Sequence, residues 1–134
     1  TVCAWDISPE AIDVAHKNAE CLGADVQFEV QDLFTAPRKP ATVVVSNPPY
    51  ICEKERAEMA AHVVHFEPAQ ALFVPDDDPL RYYKALAQLG AEEVFVEINA
   101  ALRQATADAF RAAGYQQIVC RKDEFGKDRF IYAC

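Results

Sequence analysis

The sequence is poor in the features that mark membrane, secreted and nucleic-acid-binding proteins. It contains no run of about 18 apolar residues, the length at which a membrane helix becomes a candidate. Its N-terminus has no charged segment followed by an apolar one, so we expect neither a membrane span nor a secretory leader. Lysine and arginine number 13 against 21 aspartates and glutamates, which gives a net charge of −8. Because such a surface repels a phosphate backbone, we do not expect nucleic acid as a direct partner.

Cysteine and histidine are too few and too scattered to indicate a disulfide framework or a metal site. The five cysteines include no C-x-x-C pair, and their number is odd. His62 and His65 have no third ligand type nearby, so packing or solvent exposure is favoured over metal binding. The consecutive acids of the segment 76–78 cannot all converge on one ion and are expected to cap the start of a helix that opens there. We therefore predict no metal site and a cytoplasmic setting.

The 134 residues have an ordinary globular composition, 51% hydrophobic and 25% charged, and suffice for one domain spanning 1–134. Strand-type runs alternate with a helical pattern, which predicts an α/β fold with a mostly parallel sheet. The first helix is expected to begin at Ser8-Pro9 and to end at Gly23. The predicted strands are 1–6, 25–30, 41–46, 93–98, 115–120 and 128–133, the last two forming an antiparallel hairpin. The segment 51–74 is long and poorly periodic, which is typical of a binding loop.

The most informative stretch is VVVSNPPY, residues 43–50, a β-branched run that stops at a polar residue, two prolines and an aromatic. Pro48 and Pro49 fix φ near about −65° and remove backbone donors, so the carbonyl groups beside them are not consumed by a helix. The residue before a proline is pushed out of the helical region, which keeps Asn47 extended at the end of its strand. Ligands of open α/β sheets bind at this carboxyl edge. The stretch therefore predicts an amide, free carbonyl groups and the aromatic face of Tyr50 on a rigid support.

These groups suit the recognition of a planar NH2 group. An amide or exocyclic amine is a poor nucleophile because its lone pair is delocalised. Hydrogen bonds from its two N–H groups to Asn47 Oδ1 and to the Pro48 carbonyl would orient the nitrogen for in-line attack, with Tyr50 stacked on the group. The alternative is an ordinary proline-containing turn after a strand. Cys52 lies close by in sequence, but it has no evident histidine partner and is not expected to act as a nucleophile.

Two acids follow the first two predicted strands. In nucleotide-binding α/β folds, an acid at such a strand end binds ribose hydroxyls, and Asp6 stands at that position. The alternative for Asp6 is a residue that caps the following helix. Asp32 follows the next strand, where its carboxylate could accept a hydrogen bond from an adenine amino group. Because parallel strands end at the same edge of a sheet, we expect Asp6, Asp32 and Asn47 to border one cleft.

Several motifs in combination resemble those of the HemK/PrmC-type protein-(glutamine-N5) methyltransferases, and the resemblance runs nearly end to end. They are Asp6-Ile7-Ser8-Pro9-Glu10-Ala11, Asn18-Ala19, Gln31-Asp32-Leu33-Phe34, Asn47-Pro48-Pro49-Tyr50-Ile51, Glu67-Pro68 with Ala71-Leu72-Phe73, and Gly126-Lys127-Asp128-Arg129. The resemblance implies a class I S-adenosylmethionine-dependent methyltransferase (Rossmann-like) fold. It further implies S-adenosylmethionine as the cofactor and, as substrate, the glutamine of the Gly-Gly-Gln motif in peptide chain release factors.

The resemblance also implies roles for individual residues. Asn47 and the Pro48 carbonyl would hold the glutamine amide, Tyr50 would pack on it, and Pro49 completes this substrate-binding stretch. The implied cofactor-binding residues are Asp6 at the ribose, Asp32 with Leu33 at the adenine, and in addition Ile7 and Asn47.

The family's first strand and its glycine-rich cofactor loop are absent from the 134 residues, which are therefore expected to form an N-terminally truncated part of a catalytic domain. Two other hypotheses stay open. One is a nucleic-acid amino methyltransferase, because adenine N6 presents the same planar NH2 group. The other is a non-catalytic remnant that keeps the methyltransferase fold.

Overall fold

The computed structural model describes residues 1–37, 41–59 and 66–134, and the chain divides into two compact units, Thr1–Pro37 and Arg38–Cys134. One domain spanning 1–134 therefore stays a prediction. The histidines His62 and His65 lie outside the described residues. In the described ranges, none of the helices combines the length and the apolarity that a membrane crossing requires.

The first unit is a pair of parallel strands joined by a helix. Its elements are β1 (Val2–Asp6), α1 (Pro9–Leu22) and β2 (Val26–Val30). Ser8 Oγ accepts a hydrogen bond from the Ala11 amide at 3.2 Å and caps the start of α1, where a proline needs no donor. Gly23 ends the helix with a φ of 64°, a left-handed conformation that glycine adopts without steric cost. Both helix ends are thus confirmed.

The described part of the second unit contains a four-stranded mixed sheet, a small strand pair and several helices. Its strands are β3 (Val43–Ser46), β4 (Ile51–Cys52), β5 (Phe73–Val74), β6 (Glu93–Glu97), β7 (Ile118–Lys122) and β8 (Asp128–Ala133). Its α-helices are α2 (Ala69–Leu72), α3 (Arg81–Gln88) and α4 (Arg103–Ala112), and 3-10 turns span Glu53–Glu58 and Ala100–Leu102.

The strand order of the larger sheet is β3-β6-β8-β7. β3 and β6 are parallel, whereas β8 runs antiparallel to both β6 and β7. The predicted hairpin at the C-terminal end is confirmed, with Gly126 at a φ of 79° in its turn. Parallel strands followed by an antiparallel hairpin confirm the expected α/β class.

Alternation along β6 determines where the core of the second unit lies. Val94 and Val96 are buried, with 0% and 2% of their surface exposed, and Ile98 just beyond the strand is fully buried. Phe110 of α4 and Tyr83 of α3 are fully buried as well. Burying one such side chain stabilises the fold by roughly 1.5–3 kcal/mol. The residues that alternate with them along β6, Phe95 and Glu97, therefore face away from these buried positions.

The local structure differs from the sequence-based predictions at three places. The sequence pattern of the C-terminal helix predicts one buried face, made of Leu102, Ala105, Ala109, Phe110 and Ala113. Phe110 is buried, but Ala105 and Ala113 are exposed, and α4 buries Thr106 and Ala107 instead. The 3-10 turn before α4 has about three residues per turn and so rotates the face relative to a continuous α-helix.

The two ends of the segment 51–74 are also more regular than the sequence indicates, because β4 and β5 pair in parallel, Ile51 opposite Phe73 and Cys52 opposite Val74. Strands of two residues are too short to show a period.

The acids of segment 76–78 do not start a helix either, since α3 begins only at Arg81. Asp76 Oδ1 instead accepts a hydrogen bond from the Lys54 amide at 3.2 Å, and Asp78 pairs with Lys84 at 2.7 Å. The triplet therefore ties neighbouring segments together and lies outside the first turn of α3.

β3 forms the edge of its sheet among the described residues, since it pairs there with β6 alone. Val45 is 77% exposed and Val43 is 47% exposed, and no charged residue lies within the strand. Apolar edge strands without charges pair readily with other chains. This edge is therefore predicted to pair with other molecules.

We expect the 134-residue chain by itself to self-associate through this edge, as measured by size-exclusion chromatography with light scattering. Val45→Lys should reduce the associated fraction, because a lysine on an edge strand opposes pairing. Leu22→Lys is the control, since it adds the same charge at an 82% exposed position on α1. A monomer that unfolds cooperatively at every concentration would contradict this prediction.

Candidate active site

Asn47 and the two prolines form the loop between β3 and β4. Asn47 is exposed, whereas Pro48 is buried and Pro49 is half-buried. The Asn47 side chain makes no hydrogen bond to any residue that the structure describes. Because the parallel pairing sets Ser46 opposite Val96, the loop leaves the sheet beside the carboxyl end of β6. The structure thus presents an unbonded amide on a support that the buried Pro48 anchors.

Tyr50 is held at both its hydroxyl and its backbone. Its hydroxyl donates a hydrogen bond to Glu97 Oε1 at 2.7 Å, and Asn99 Nδ2 donates to its carbonyl oxygen at 3.2 Å. Partial burial and the neighbouring Glu97 carboxylate raise the pKa of Tyr50 above its usual value. The phenol is therefore neutral at physiological pH and acts here as a hydrogen-bond donor.

Asn99 connects the segment after Tyr50 to the 3-10 turn that precedes α4. Its Nδ2 donates to Glu55 Oε2 at 3.1 Å, and its Oδ1 accepts from the Ala101 amide at 3.0 Å. The same Glu55 oxygen also accepts a hydrogen bond from the Cys52 amide at 2.9 Å. Sequence reasoning missed Asn99 and Glu55, although an asparagine between a strand and a helix is a recognisable capping signal.

Glu97 is the next residue that sequence reasoning missed. Arg129 Nη1 lies 3.6 Å from Glu97 Oε1, and Arg129 Nε lies 3.2 Å from Asp123 Oδ2. The side chains of Glu97, Arg129 and Asp123 are only 24%, 29% and 15% exposed. A charged residue in a strand otherwise rich in apolar residues was the available signal. Its partner lies in another strand, which a local pattern does not reveal.

A depression of about 210 Å³ adjoins these groups, and its lining includes Tyr50, Glu55, Ile98, Asn99 and Arg129. A larger depression, about 590 Å³, is lined by Gly90, Ala91, Gly114 and Tyr115 among others. Gly90 and Ala91 precede β6, so this larger depression lies at the amino-terminal edge of that strand, away from Asn47. The smaller depression therefore belongs to the candidate site.

Asp6 and Asp32 lie at the carboxyl edge of the β1–β2 pair in the first unit. Asp6 Oδ1 accepts a hydrogen bond from the Ser8 amide at 2.8 Å, and Asp32 Oδ1 accepts one from the Phe34 amide at 2.9 Å. The second oxygen of each carboxylate makes no hydrogen bond to a residue within 1–37, 41–59 or 66–134. The structure thus brings Asp6 and Asp32 to one edge and leaves each an acceptor.

The neighbours of these acids complete the predicted cofactor residues of the first unit. Ile7 is 54% exposed and Leu33 is half-buried. Both lie beside the carboxyl ends of their strands, where an apolar side chain can cover a ligand. Asn47 belongs to the second unit, so a single cleft bordered by Asp6, Asp32 and Asn47 stays a prediction.

Cys52 and the acids do not form other kinds of reactive site. Cys52 is 4% exposed, and burial together with Glu55 raises the pKa of its thiol, which disfavours the nucleophilic thiolate. Across the described ranges, no cluster of three or more His, Cys, Asp or Glu side chains is arranged to hold a metal ion. The described side chains of the candidate site offer hydrogen-bond acceptors and one aromatic ring.

Comparison with known proteins identifies relatives over almost the whole chain. A release factor glutamine methyltransferase from Bacteroides thetaiotaomicron is 45% identical over 141 residues, which cover 98% of this chain and 51% of the relative. A protein of the same description from Bacillus subtilis is 39% identical over 146 residues, covering 99% of this chain and 49% of the relative. The chain thus spans about half the length of the curated relatives that it matches.

The fold has solved counterparts. A ribosomal protein L11 methylase from Lactobacillus delbrueckii subsp. bulgaricus superposes with a TM-score of 0.55 at 17% identity, covering 99% of this chain and 55% of that structure. At this identity the likeness shows the fold alone, and it confirms the class I methyltransferase fold that the motifs imply. The sequence model of the methyltransferase small domain matches residues 1–76, which is more than half of the chain. The chain therefore belongs to the methyltransferase small domain family.

Proposed function

We propose that the full-length protein transfers a methyl group from S-adenosylmethionine to the side-chain amide nitrogen of a glutamine, that of the Gly-Gly-Gln motif in peptide chain release factors. The observation that carries the proposal is the exposed Asn47 amide, which has no partner among the described residues and lies in the same loop as Tyr50, whose hydroxyl is bonded to Glu97. The curated relatives described as release factor glutamine methyltransferases support the choice of substrate.

In this proposal, Asn47 Oδ1 and the Pro48 carbonyl each accept one N–H bond of the glutamine amide. Two acceptors acting together restrict rotation of the NH2 group and direct the face of its nitrogen towards the methyl donor. Pro48 and Pro49 restrict the backbone between them, so little backbone reorganisation is needed when the amide binds. The neutral Tyr50 ring packs on the planar amide and excludes water from one of its sides.

The residues of the first unit fit a nucleoside cofactor. S-adenosylmethionine, when bound, supplies the electrophilic methyl group. Each carboxylate of Asp6 and Asp32 has one oxygen that no described residue occupies, which suits ribose hydroxyls and an adenine amino group respectively. Ile7 and Leu33 offer apolar surface beside them. We also propose a cytoplasmic location, since all five cysteines are free thiols.

A nucleic-acid amino methyltransferase is the second candidate, because an Asn47 acceptor and an aromatic residue in one loop suit adenine N6 equally well. The net charge of −8 opposes it, since neutralising phosphates requires clustered lysine and arginine. A non-catalytic remnant is the third candidate. The unit 1–37 would then keep its strand ends but bind no cofactor.

One assay separates these functions. The full-length protein is incubated with radiolabelled S-adenosylmethionine and, in parallel, a release factor carrying Gly-Gly-Gln, the same factor with that glutamine replaced by glutamate, and duplex DNA. The proposal expects label in the first acceptor alone. Label in DNA would favour the second candidate. Absence of label together with no heat of cofactor binding in calorimetry would favour the third.

A further inference from the structure

A chain of polar groups runs from Tyr50 to the turn of the β7–β8 hairpin. The Tyr50 hydroxyl lies 2.7 Å from Glu97 Oε1, and Arg129 Nη1 lies 3.6 Å from the same oxygen. Arg129 Nε lies 3.2 Å from Asp123 Oδ2. Asp123 in turn accepts hydrogen bonds on Oδ1 from the amides of Phe125 at 3.0 Å and Lys127 at 2.9 Å. This series of polar groups thus begins at the Tyr50 ring in the candidate site and ends at backbone amides of a tight turn.

In this series of polar groups, each residue holds the previous one in place, from Asp123 through Arg129 and Glu97 to Tyr50. The turn amides, foremost that of Lys127, and the Arg129 side chain lower the pKa of Asp123, so its carboxylate is charged at neutral pH. Asp123 raises the pKa of Arg129, which therefore keeps its charge beside Glu97. Glu97 is also held through its backbone, because its carbonyl oxygen accepts a hydrogen bond from the Tyr83 hydroxyl at 3.0 Å. A carboxylate held in this way offers the Tyr50 hydroxyl an acceptor of fixed position.

The ring of Tyr50 needs such an acceptor if it packs on a planar substrate. A tyrosine side chain on a loop has two rotatable bonds, and backbone placement alone does not select one ring orientation. The Asn99 hydrogen bond fixes the Tyr50 carbonyl but leaves the ring free to turn. A charge-assisted hydrogen bond at the far end of the ring removes that freedom.

We propose that Glu97, supported by Arg129 and Asp123, is a positioning residue that fixes the ring of Tyr50 against the planar amide of the substrate. The inference rests on the proposed function, because it assigns Tyr50 the role of packing on that amide. The competing explanation is that the same groups only fasten the hairpin to β6. The two explanations differ in the effect that substituting Glu97 has on activity when the Tyr50 hydroxyl is absent.

The test is a double-mutant cycle in the full-length protein with the release factor as substrate. Glu97→Gln preserves the shape of the side chain and removes its charge, and Tyr50→Phe removes only the hydroxyl. If Glu97 acts through Tyr50, Glu97→Gln should lower kcat by about tenfold with little change in KM, the order expected for one charged hydrogen bond. In the Tyr50→Phe background, the same substitution should have almost no further effect.

A control variant and a stability measurement test whether a loss of activity is specific to Glu97. Asp108→Asn removes the carboxylate of an exposed ion pair with Arg111 on α4, at 2.7 Å, and should leave kcat unchanged. Thermal unfolding of each variant shows whether a loss of activity follows a loss of fold. Equal losses from Glu97→Gln in both backgrounds would overturn the proposal, because they would mean that Glu97 acts without the Tyr50 hydroxyl.

A second readout needs no methyl transfer and therefore separates this inference from the proposed function. The phenol of Tyr50 is titrated by ultraviolet difference spectroscopy, with Tyr50→Phe as the blank. Burial and Glu97 raise its pKa while Arg129 opposes the rise, so Glu97→Gln should lower the pKa of Tyr50 towards 10. An unchanged titration would overturn the coupling even in an active enzyme. A shifted titration in a protein that methylates no glutamine would refute the proposed function alone.

Discussion

Replacing Asn47 by alanine in the full-length protein should reduce methyl transfer by about 10²-fold or more, the order seen when one preorganised hydrogen-bonding group is removed from an active site. The side chain is exposed and makes no hydrogen bond to the residues that the structure describes, so its removal leaves no buried group without a partner. The loss should therefore appear in turnover and much less in cofactor affinity or in the free energy of unfolding. Steady-state kinetics and calorimetry with S-adenosylmethionine measure the two effects.

Gln116→Ala provides the matched control for Asn47→Ala. Gln116 also carries an exposed amide, but it lines the larger depression before β7 instead of the candidate site. Its removal should leave turnover within a factor of about two, as surface substitutions away from a site usually do. Near-normal turnover in Asn47→Ala would remove Asn47 from the mechanism.

Removing the carboxylate of Asp6 should weaken the binding of S-adenosylmethionine in the full-length protein. A charged hydrogen bond to ribose hydroxyls contributes roughly 1.5–3 kcal/mol, which corresponds to about a 10- to 150-fold rise in Kd. Turnover of Asp6→Ala should recover when the cofactor concentration is raised, because the chemical step does not involve this residue. Calorimetric titration of the wild type and the variant checks the affinity.

Asp6→Asn distinguishes ribose binding from a helix-start role. In the wild type, the Ser8 amide donates to Asp6 Oδ1 at 2.8 Å. The amide oxygen of an asparagine can still accept this hydrogen bond, while the charge is lost. Ribose binding by the carboxylate predicts weakened affinity in both variants. If Asp6→Asn keeps the affinity of the wild type, Asp6 is a helix-start residue, and only Asp6→Ala should destabilise α1, by about 1 kcal/mol.

Much of the fold follows from local sequence. The start of α1 at Ser8-Pro9, its end at Gly23 and the C-terminal hairpin around Gly126 each rest on residues with strong conformational preferences, and the structure confirms them. The β4–β5 pair escaped prediction because strands of two residues have no detectable period. The buried face of α4 was misplaced because a preceding 3-10 turn shifts the helical phase.

The candidate site divides in the same way. The loop that carries Asn47, Pro48 and Tyr50 was predictable because these residues are close in sequence and the prolines constrain the backbone after the strand, whereas their roles stay predictions. Glu97 and Arg129 were not predictable, since the Tyr50–Glu97 hydrogen bond joins residues 47 positions apart. Hydrogen bonds of this kind depend on how strands align across a sheet, and composition and spacing within one segment do not encode that alignment.

Because the thiol of Cys52 is buried, its rate of chemical modification can measure how often the segment after Tyr50 opens. A thiol reagent attacks the thiolate, and burial both raises the pKa of Cys52 and shields its sulfur, so modification must wait until β4 parts from β5. Cys3 and Cys21 are exposed and react without such a delay. We therefore expect Cys52 to be labelled more slowly than Cys3 and Cys21. Its labelling rate gives the frequency with which the segment opens by local unfolding, and no substrate is needed for the measurement.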